Sequence, residues 1–518
     1  MISMLPKTWS LSYSIRMRFA LIVLVAMTFL ELLLWVPAFW RFRKVLAATA
    51  SVGLASSGVA LVFLHPVFAT ILIFVVMLYR IFNLFRIVKD RMQRQYLARV
   101  VSRTGAFLIG LQMLVGASWY ACLLFNVRSA TFWFVFSIAQ FLGIVIIVAS
   151  TERHLRKTRP QQQINSLSNK ALPTLTVAIP ARDETDSLQE CLASLVASDY
   201  PKLEILVLDD CSQNKRTPEI IRSFAQSGVR FLSGKPIKEN WLPKNQAYQQ
   251  LLDEANGEYV LFAGVDCRVE PDSLRHLVEA ALQKKKSMVS IIPSNSLLRT
   301  EGSKESVLLQ PARYAWELSL PRKMFNRPPV LSTCWIISRK FLLSTGGFAA
   351  VSRSVVPESY FARVSSVHDG YSFMQSNEYI GIKSMKDAPA QWATAVRTRY
   401  PQLHRRPELV LLMTVAELFG FIMPFLFIPI YLVKDLHSFM SLLVVVNCLL
   451  IMYFYGRVVN LTFRSFTLYG YITAPFAAVA DIIVLNYSMV RYEFSEVIWK
   501  GRNVCLPVMH AYPSNPRQ

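Results

Sequence analysis

Eight apolar runs constrain this chain more than any other feature. Residues 19–40, 45–64, 66–88, 105–125 and 131–150 precede a more polar middle, and residues 408–433, 438–456 and 466–490 follow it. Each is about 20 residues or longer, the length of helix needed to cross the hydrocarbon of a bilayer. Pro424 and Pro429 fall inside the sixth run, where they kink a spanning helix or mark an interfacial one, so the expectation is seven or eight spans. The make-up agrees: 53% of the 518 residues are hydrophobic and 17% charged, too apolar for a string of soluble domains. Lys7, Arg16 and Arg18 precede the first run as in a signal peptide. That run exceeds an h-region and lacks an Ala-x-Ala-like end, so it reads as a retained membrane segment.

The formal charge of +23 is concentrated beside the runs. Lys89, Arg91, Arg94, Arg99 and Arg103 separate the third run from the fourth, and Arg153, Arg156, Lys157 and Arg159 follow the fifth. The positive-inside rule places both clusters, and the polar middle after them, on the cytoplasmic side of a plasma or inner membrane. Arg41, Arg43 and Lys44 compete with the basic N-terminus, which leaves the first run's direction open. Anionic headgroups account for this charge, and no nucleic-acid partner is expected. Cysteines at 122, 191, 211, 267, 334, 448 and 505 form no Cys-x-x-Cys pair, so neither a zinc site nor a disulfide framework is indicated.

Three regions follow: an N-terminal membrane region (1–160), a soluble domain (172–400) and a C-terminal membrane or interfacial region (405–518). A polar linker, Pro160 to Lys170, opens onto alternating strand and helix patterns. Leu175–Ile179, Leu203–Leu208, Val229–Leu232 and Tyr259–Phe262 read as strands; Ser187–Ala197, Pro218–Gln226 and Asn245–Ala255 read as helices. The second and fourth strands run into Asp209, Asp210 and Asp266, at the carboxyl ends where open α/β sheets bind ligands. The expected fold is thus an α-helical transmembrane protein with a cytoplasmic α/β, Rossmann-like domain. No internal repeat is visible, which argues against an inverted-repeat transporter.

Val177-Ala-Ile-Pro-Ala-Arg-Asp-Glu184 and Glu204-Ile-Leu-Val-Leu-Asp-Asp-Cys-Ser212 resemble the opening of family 2 glycosyltransferases of the GT-A fold. Leu242-Pro-Lys-Asn-Gln-Ala247 and Val265-Asp-Cys-Arg-Val-Glu-Pro-Asp-Ser-Leu274 are similar to stretches of the ceramide glucosyltransferase group and its bacterial hopanoid-modifying relatives. Gly346-Gly-Phe348, Pro357-Glu-Ser-Tyr-Phe361 up to Gly370-Tyr371, and Trp499-Lys-Gly-Arg502 extend the resemblance in order. It implies a membrane-bound enzyme that uses a UDP-sugar and a divalent cation, magnesium or manganese.

Carried over position by position, the resemblance implies that Asp210 contacts the nucleotide, with Asp209 as its substitute one register away. Asp266 takes the place of the later acid of the Asp-x-Asp motif and would hold the cation, while Gly264 stands where the first acid would be. One carboxylate with phosphate oxygens and water suffices for a hard cation. Lys244 and Arg182 match donor contacts; the competing reading is solvated loop charge. Ser359 stands where the family has its proton-accepting Asp, so Glu358 is the candidate base, with Asp369 and His368 in reserve. Val396-Arg-Thr-Arg-Tyr400 stands for the family's Arg-Trp motif, making Arg399 and Tyr400 its stand-ins; an alternative register rests on Gln391-Trp392. Glu417 and Asp481, inside apolar runs, line an acceptor groove or serve hydrogen-bonded packing.

These readings lead to inverting transfer of a sugar from a UDP-sugar to a lipid or membrane-associated acceptor at the cytoplasmic face. Expected partners are the nucleotide-sugar and membrane lipid, with room for a membrane protein. Ser359 and the altered 396–400 segment favour the alternative of a non-catalytic scaffold or regulatory subunit that keeps the fold.

Overall fold

The computed structural model describes residues 7–64, 68–89, 94–125, 129–160, 167–295, 308–319, 328–434 and 439–504. Arg91, residues 161–166 of the linker and Cys505 lie outside them.

Among the described residues, seven helices are long and apolar enough to cross a membrane: Ala38–Leu64, Phe68–Lys89, Val101–Cys122, Thr131–Thr158, Pro407–Pro429, Phe439–Thr462 and Thr467–Phe494. The single apolar run expected over 19–40 is divided. Helix Lys7–Leu33 stops short of Pro37, and a 3₁₀ turn, Pro37–Phe42, leads into the next helix. Val36 is extended (φ −87°, ψ 120°), the conformation a following proline imposes. Around Pro424 the helical path continues without a break. Leu418–Ile422 widens into a π-helical turn between two α-helical stretches, Pro407–Glu417 and Met423–Lys434. The Phe419 carbonyl accepts a hydrogen bond from Gln140 on a neighbouring helix, which supplies a donor that a proline-interrupted helix needs.

The α/β domain is built on a seven-stranded sheet ordered β3-β2-β1-β4-β8-β6-β9. Its strands are β1 Leu175–Ala181, β2 Leu203–Asp209, β3 Val229–Ser233, β4 Tyr259–Ala263, β6 Met288–Ile292, β8 Cys334–Ser338 and β9 Tyr371–Gln375. The first four strands are parallel, β8 is antiparallel to β4 and β6, and β9 is parallel to β6. A small second sheet pairs β10 (Ile382–Ser384) with β5 (Cys267–Val269) and β7 (Ser294–Asn295). Side chains alternate across the main sheet, so Val177, Ile179 and Leu261 enter one core while Ala178, Val260 and Phe262 enter the other. Burial on both faces is why β1 and β4 read as continuous apolar runs.

This domain is tied to the helical layer by polar contacts. Gln375 on β9 donates to the Leu155 carbonyl and to Thr158, each at 2.6 Å. Helix Ala388–Gln402 lies on helix Thr467–Phe494, whose Tyr492 hydroxyl donates to the Arg397 carbonyl at 2.7 Å.

Candidate active site

The carboxyl ends of the parallel strands carry two differently built groups of residues. At the β1–β2 end, Asp209 is used locally: its Oδ1 accepts the Ser212 amide at 3.1 Å, closing a turn in which Cys211 has φ +54°. Asp210 is buried and faces the C-terminal hairpin, its Oδ2 accepting Arg502 Nη1 at 2.6 Å. Arg182 is committed to backbone, donating to the carbonyls of Asp210 (2.7 Å), Cys211 (2.5 Å) and Lys500 (3.0 Å). Lys500 pairs with Glu184 at 2.9 Å. The Trp499-Lys-Gly-Arg502 turn therefore covers this end of the cleft, with Lys500 at φ +49° and Gly501 at φ +73° as a tight hairpin requires. Desolvation raises the pKa of Asp210 and Glu184 despite the Arg502 and Lys500 charges beside them.

At the other end, Asp266 lies in the turn between β4 and β5. Ser384, at the end of β10, donates to its Oδ2 at 2.9 Å, and Lys386 Nζ is 3.5 Å from the same oxygen. A Cβ on Gly264 would come within 2.6 Å of Asp266 Oδ1, so the carboxylate already fills the space that a first acid of the motif would need.

Glu358 is the second residue of helix Pro357–Val367 and its side chain is 1% exposed. The helix start turns it inward, with Lys244 Nζ 3.7 Å away, while Ser359 lines a separate small pocket with Ser354, Arg363 and His404. The reserves lie outside this group. Asp369 is 96% exposed and paired with Lys286, and His368 is exposed at the helix end.

Arg313 and Arg397 complete the cluster, each within electrostatic reach of Glu358. Four cations, Lys244, Arg313, Lys386 and Arg397, thus lie about Glu358 and Asp266, with Glu317 the acid that acts most strongly on Arg313. Desolvation comes first in lowering the pKa of all four; repulsion within the group adds to it for Lys244, Lys386 and Arg397, and repulsion by Arg399 for Arg313. A sheltered surplus of positive charge suits a multiply charged anion such as a diphosphate. Asp266 offers one carboxylate to a divalent cation, a donor set that fits magnesium or manganese only with phosphate oxygens completing it. Among the described residues no group of three His, Cys, Asp or Glu side chains is placed to hold a metal.

Arg399 and Tyr400 turn away from this cluster. Arg399 is fully buried against Asp481 and over the Trp316 ring (4.7 Å), and the Tyr400 hydroxyl lies 2.9 Å from Glu493. Sequence reasoning missed Arg313, Lys386, Arg397 and Ser384, and gave Lys500 and Arg502 no role. Arg397 was within the quoted segment, but residues two apart on a helix point about 200° apart.

Residues 176–344 match the family model described as glycosyl transferase family 2. Among curated proteins, the chain is 26% identical over 110 residues to the succinoglycan biosynthesis protein ExoO of Rhizobium meliloti, covering 21% of this chain and 30% of that one. It is 24% identical over 165 residues to the poly-beta-1,6-N-acetyl-D-glucosamine synthase of Staphylococcus epidermidis, covering 32% and 39%. The match thus spans about a third of the length of these relatives. Among solved structures, a mannosyltransferase from Pyrobaculum calidifontis, in complex with GDP-Man and Mn2+, aligns over 68% of this chain and 97% of its own. Its sequence identity is 16% and its TM-score 0.41, too remote to carry function across. Residues 176–344 are thus similar to glycosyl transferase family 2, and the match falls on the larger part of the mixed α/β sheet.

Proposed function

We propose that this chain is a multi-pass membrane enzyme that transfers a sugar, with inversion, from a UDP-sugar to a lipid or membrane-associated acceptor at the cytoplasmic face. The observation that carries the reading is the placing of Glu358 and Asp266 among Lys244, Arg313, Lys386 and Arg397, beside a strand-end cleft of a family 2 domain.

In this reading the acceptor hydroxyl gives its proton to Glu358 as its oxygen bonds to the anomeric carbon. The bond from that carbon to the diphosphate oxygen breaks, its electron pair leaves with UDP, and the single displacement inverts the centre. Lys244, Arg313, Lys386 and Arg397 hold the diphosphate and stabilise the charge it gains. Asp266 would hold a magnesium or manganese ion, which supplies Lewis acidity to the leaving group when bound. Asp210, Asp209 and Arg182 shape the nucleotide end, and Arg399 and Tyr400 support the acceptor side through the helical layer.

The test is UDP release by the detergent-purified protein over a panel of UDP-sugars, with magnesium or manganese and with or without membrane lipid extract. Release dependent on lipid, lost in Asp266→Ala, is expected. Glu358→Gln should keep donor affinity and lose about 10²- to 10⁴-fold in turnover, the usual weight of a general base. Donor binding without release from the wild-type protein sinks the transferase and leaves the scaffold reading, which Ser359 favours.

A further inference from the structure

Helix Thr467–Phe494 qualifies as a span by length and composition, yet both of its ends lie at the α/β domain. Before its start, Arg464 Nη1 donates to Glu378 Oε1, between β9 and β10, at 2.5 Å. At its end, Arg86 pairs with Glu493 at 2.9 Å and Lys89 Nζ donates to the Phe494 carbonyl at 2.5 Å. The chain then runs into the hairpin whose Arg502 meets Asp210. The second half is laid along helix Ala388–Gln402 of the domain, where Ser488 Oγ donates to the Val396 carbonyl (2.5 Å) and accepts the Tyr400 amide (3.2 Å).

The neighbouring helix Phe439–Thr462 is placed differently. Its last turn leads to Arg464 and so to the domain, whereas Phe439 at its other end packs on Phe134 (6.0 Å between rings), at the start of helix Thr131–Thr158. That helix meets the domain at its opposite end, where Thr158 accepts from Gln375. Helix Thr467–Phe494, at 28 residues, is about 42 Å long, enough to reach the far surface had it turned that way. Its middle stays shallow instead. Ala474, Ala477 and Asp481 border a cavity of about 560 Å³ together with Ser150 and Phe454, which lie about 12 Å of helix from the domain-side ends Thr158 and Thr462. That is less than half of a hydrocarbon core about 30 Å thick.

The two faces of this helix are unlike. Gly470, Ala474, Ala477, Asp481 and Ser488 are buried against the protein. Leu468, Ile472, Phe476, Val479, Ile483 and Val490, at helical spacing on the other face, are 41–71% exposed. At the edge of this stripe Tyr487 lies against Trp392 of helix Ala388–Gln402 (5.9 Å), with Arg491 over the Tyr487 ring (5.9 Å). Aromatic and basic side chains of this kind settle at the level of lipid headgroups.

We infer that helix Thr467–Phe494 does not cross the bilayer but lies in the leaflet on the side of the α/β domain, its apolar stripe against acyl chains and the domain seated on its other face. Among the described residues, six of the seven long apolar helices then cross. Lipid is the occupant of the stripe because Trp392, Tyr487 and Arg491 border it as headgroup-level residues do, and because it adjoins helix Phe439–Thr462, whose Leu442 and Leu449 are exposed in the same way. The inference is independent of sugar transfer, since a scaffold would be seated on the membrane in the same manner.

The experiment uses the full chain. Arg464→Cys and Glu496→Cys place thiols before and after the helix, and Phe125→Cys places one beyond the far end of helix Arg94–Leu124. A membrane-impermeant maleimide is applied to right-side-out and to inverted membrane vesicles of the expressing cell, and mass spectrometry maps the labels. Arg464→Cys and Glu496→Cys are expected to label in the same preparation, at least tenfold above the other, and Phe125→Cys in the opposite one. Labelling of Arg464→Cys and Glu496→Cys in opposite preparations overturns the inference. A second measurement places nitroxides on Ile472→Cys, Phe476→Cys and Ile483→Cys in phosphatidylcholine nanodiscs, with the spectrum of the labelled parent chain subtracted. Collisions with oxygen should exceed those with a water-soluble nickel chelate at least tenfold, as at the outward Val52→Cys. Nickel access equal to that at the exposed Asp369→Cys would mean that the stripe faces water, and spin–spin broadening would mean that a second copy covers it; either result overturns the inference.

Discussion

Arg80 and Arg399 are both fully buried guanidiniums among apolar helices, and each lies beside carboxylates, yet they are placed to different ends. Arg80 spends every nitrogen: Nε and Nη2 on Glu31 Oε2 (3.0 and 2.7 Å), Nη1 on Gln112 (2.6 Å) and Nη2 also on Thr28 (3.0 Å), which leaves Glu31 Oε1 as the one oxygen of the pair without a hydrogen bond. Arg399 meets Asp481 through Nη2 alone, and its Nε and Nη1 have no partner. The first cluster closes a tightly packed bundle. The second borders a cavity, where Asp481 pairs with Arg399 and Glu417 hydrogen-bonds to Asp481. A buried charge within an apolar helix is thus not by itself a sign of function; the degree to which it is satisfied, and what space it faces, separate a structural bridge from a site.

The sharpest way to break this contrast is to remove each cation's partner in turn. Arg80→Leu strands the Glu31 carboxylate, so a loss of about 3–5 kcal/mol is expected, read as a fall in thermal stability of the detergent-purified protein. Adding Glu31→Leu should restore part of it, because the uncompensated charge goes too. Asp481→Asn is expected to be milder on stability, about 1.5 kcal/mol or less, since Glu417 remains to balance Arg399. Its lipid-dependent turnover should nevertheless fall at least tenfold. If Asp481→Asn unfolds the protein as Arg80→Leu does, the two clusters are alike and the distinction drawn from their geometry is wrong.

Neither Arg80 nor Glu31 stood out in the sequence, because both are isolated polar letters within long apolar runs whose helical partners no local pattern reveals. Glu417 and Asp481 were visible as intramembrane acids, but the cavity they line exists only through packing of distant helices. The soluble strands were legible for the opposite reason: β1, β2 and β4 are short apolar runs bounded by turn residues, and the acids at their ends follow from that geometry. At the cleft, Asp266 and Glu358 were reachable from motif positions. Arg313 and Lys386 were not, since they arrive from segments with no motif of their own. Arg397 was hidden by the register of a helix, where the choice between it and Arg399 decides which layer the side chain faces.

A third, smaller contrast lies at the rim of the cleft, where ion pairs are neither fully saturated bridges nor parts of a membrane cavity. Asp210 and Glu184 have pKa values raised by desolvation, which outweighs the pull of Arg502 and Lys500. From the ordinary carboxylate range up to those raised values, the folded chain binds more protons than the unfolded one. Their contribution to stability is therefore full at the acid end of that window and is lost as pH rises through the folded values. Arg502→Gln removes a charge that lowers the Asp210 value, so the window widens and the loss with rising pH becomes steeper. The effect is on the order of 1 kcal/mol. It is read as the difference between wild-type and Arg502→Gln melting temperatures between about pH 4 and 7. Parallel curves for Arg502→Gln and wild type would mean that the hairpin does not hold Asp210 in solution, and its place over the β1–β2 strand ends would then have to rest on the Lys500–Glu184 pair and the Arg182 bond to the Lys500 carbonyl.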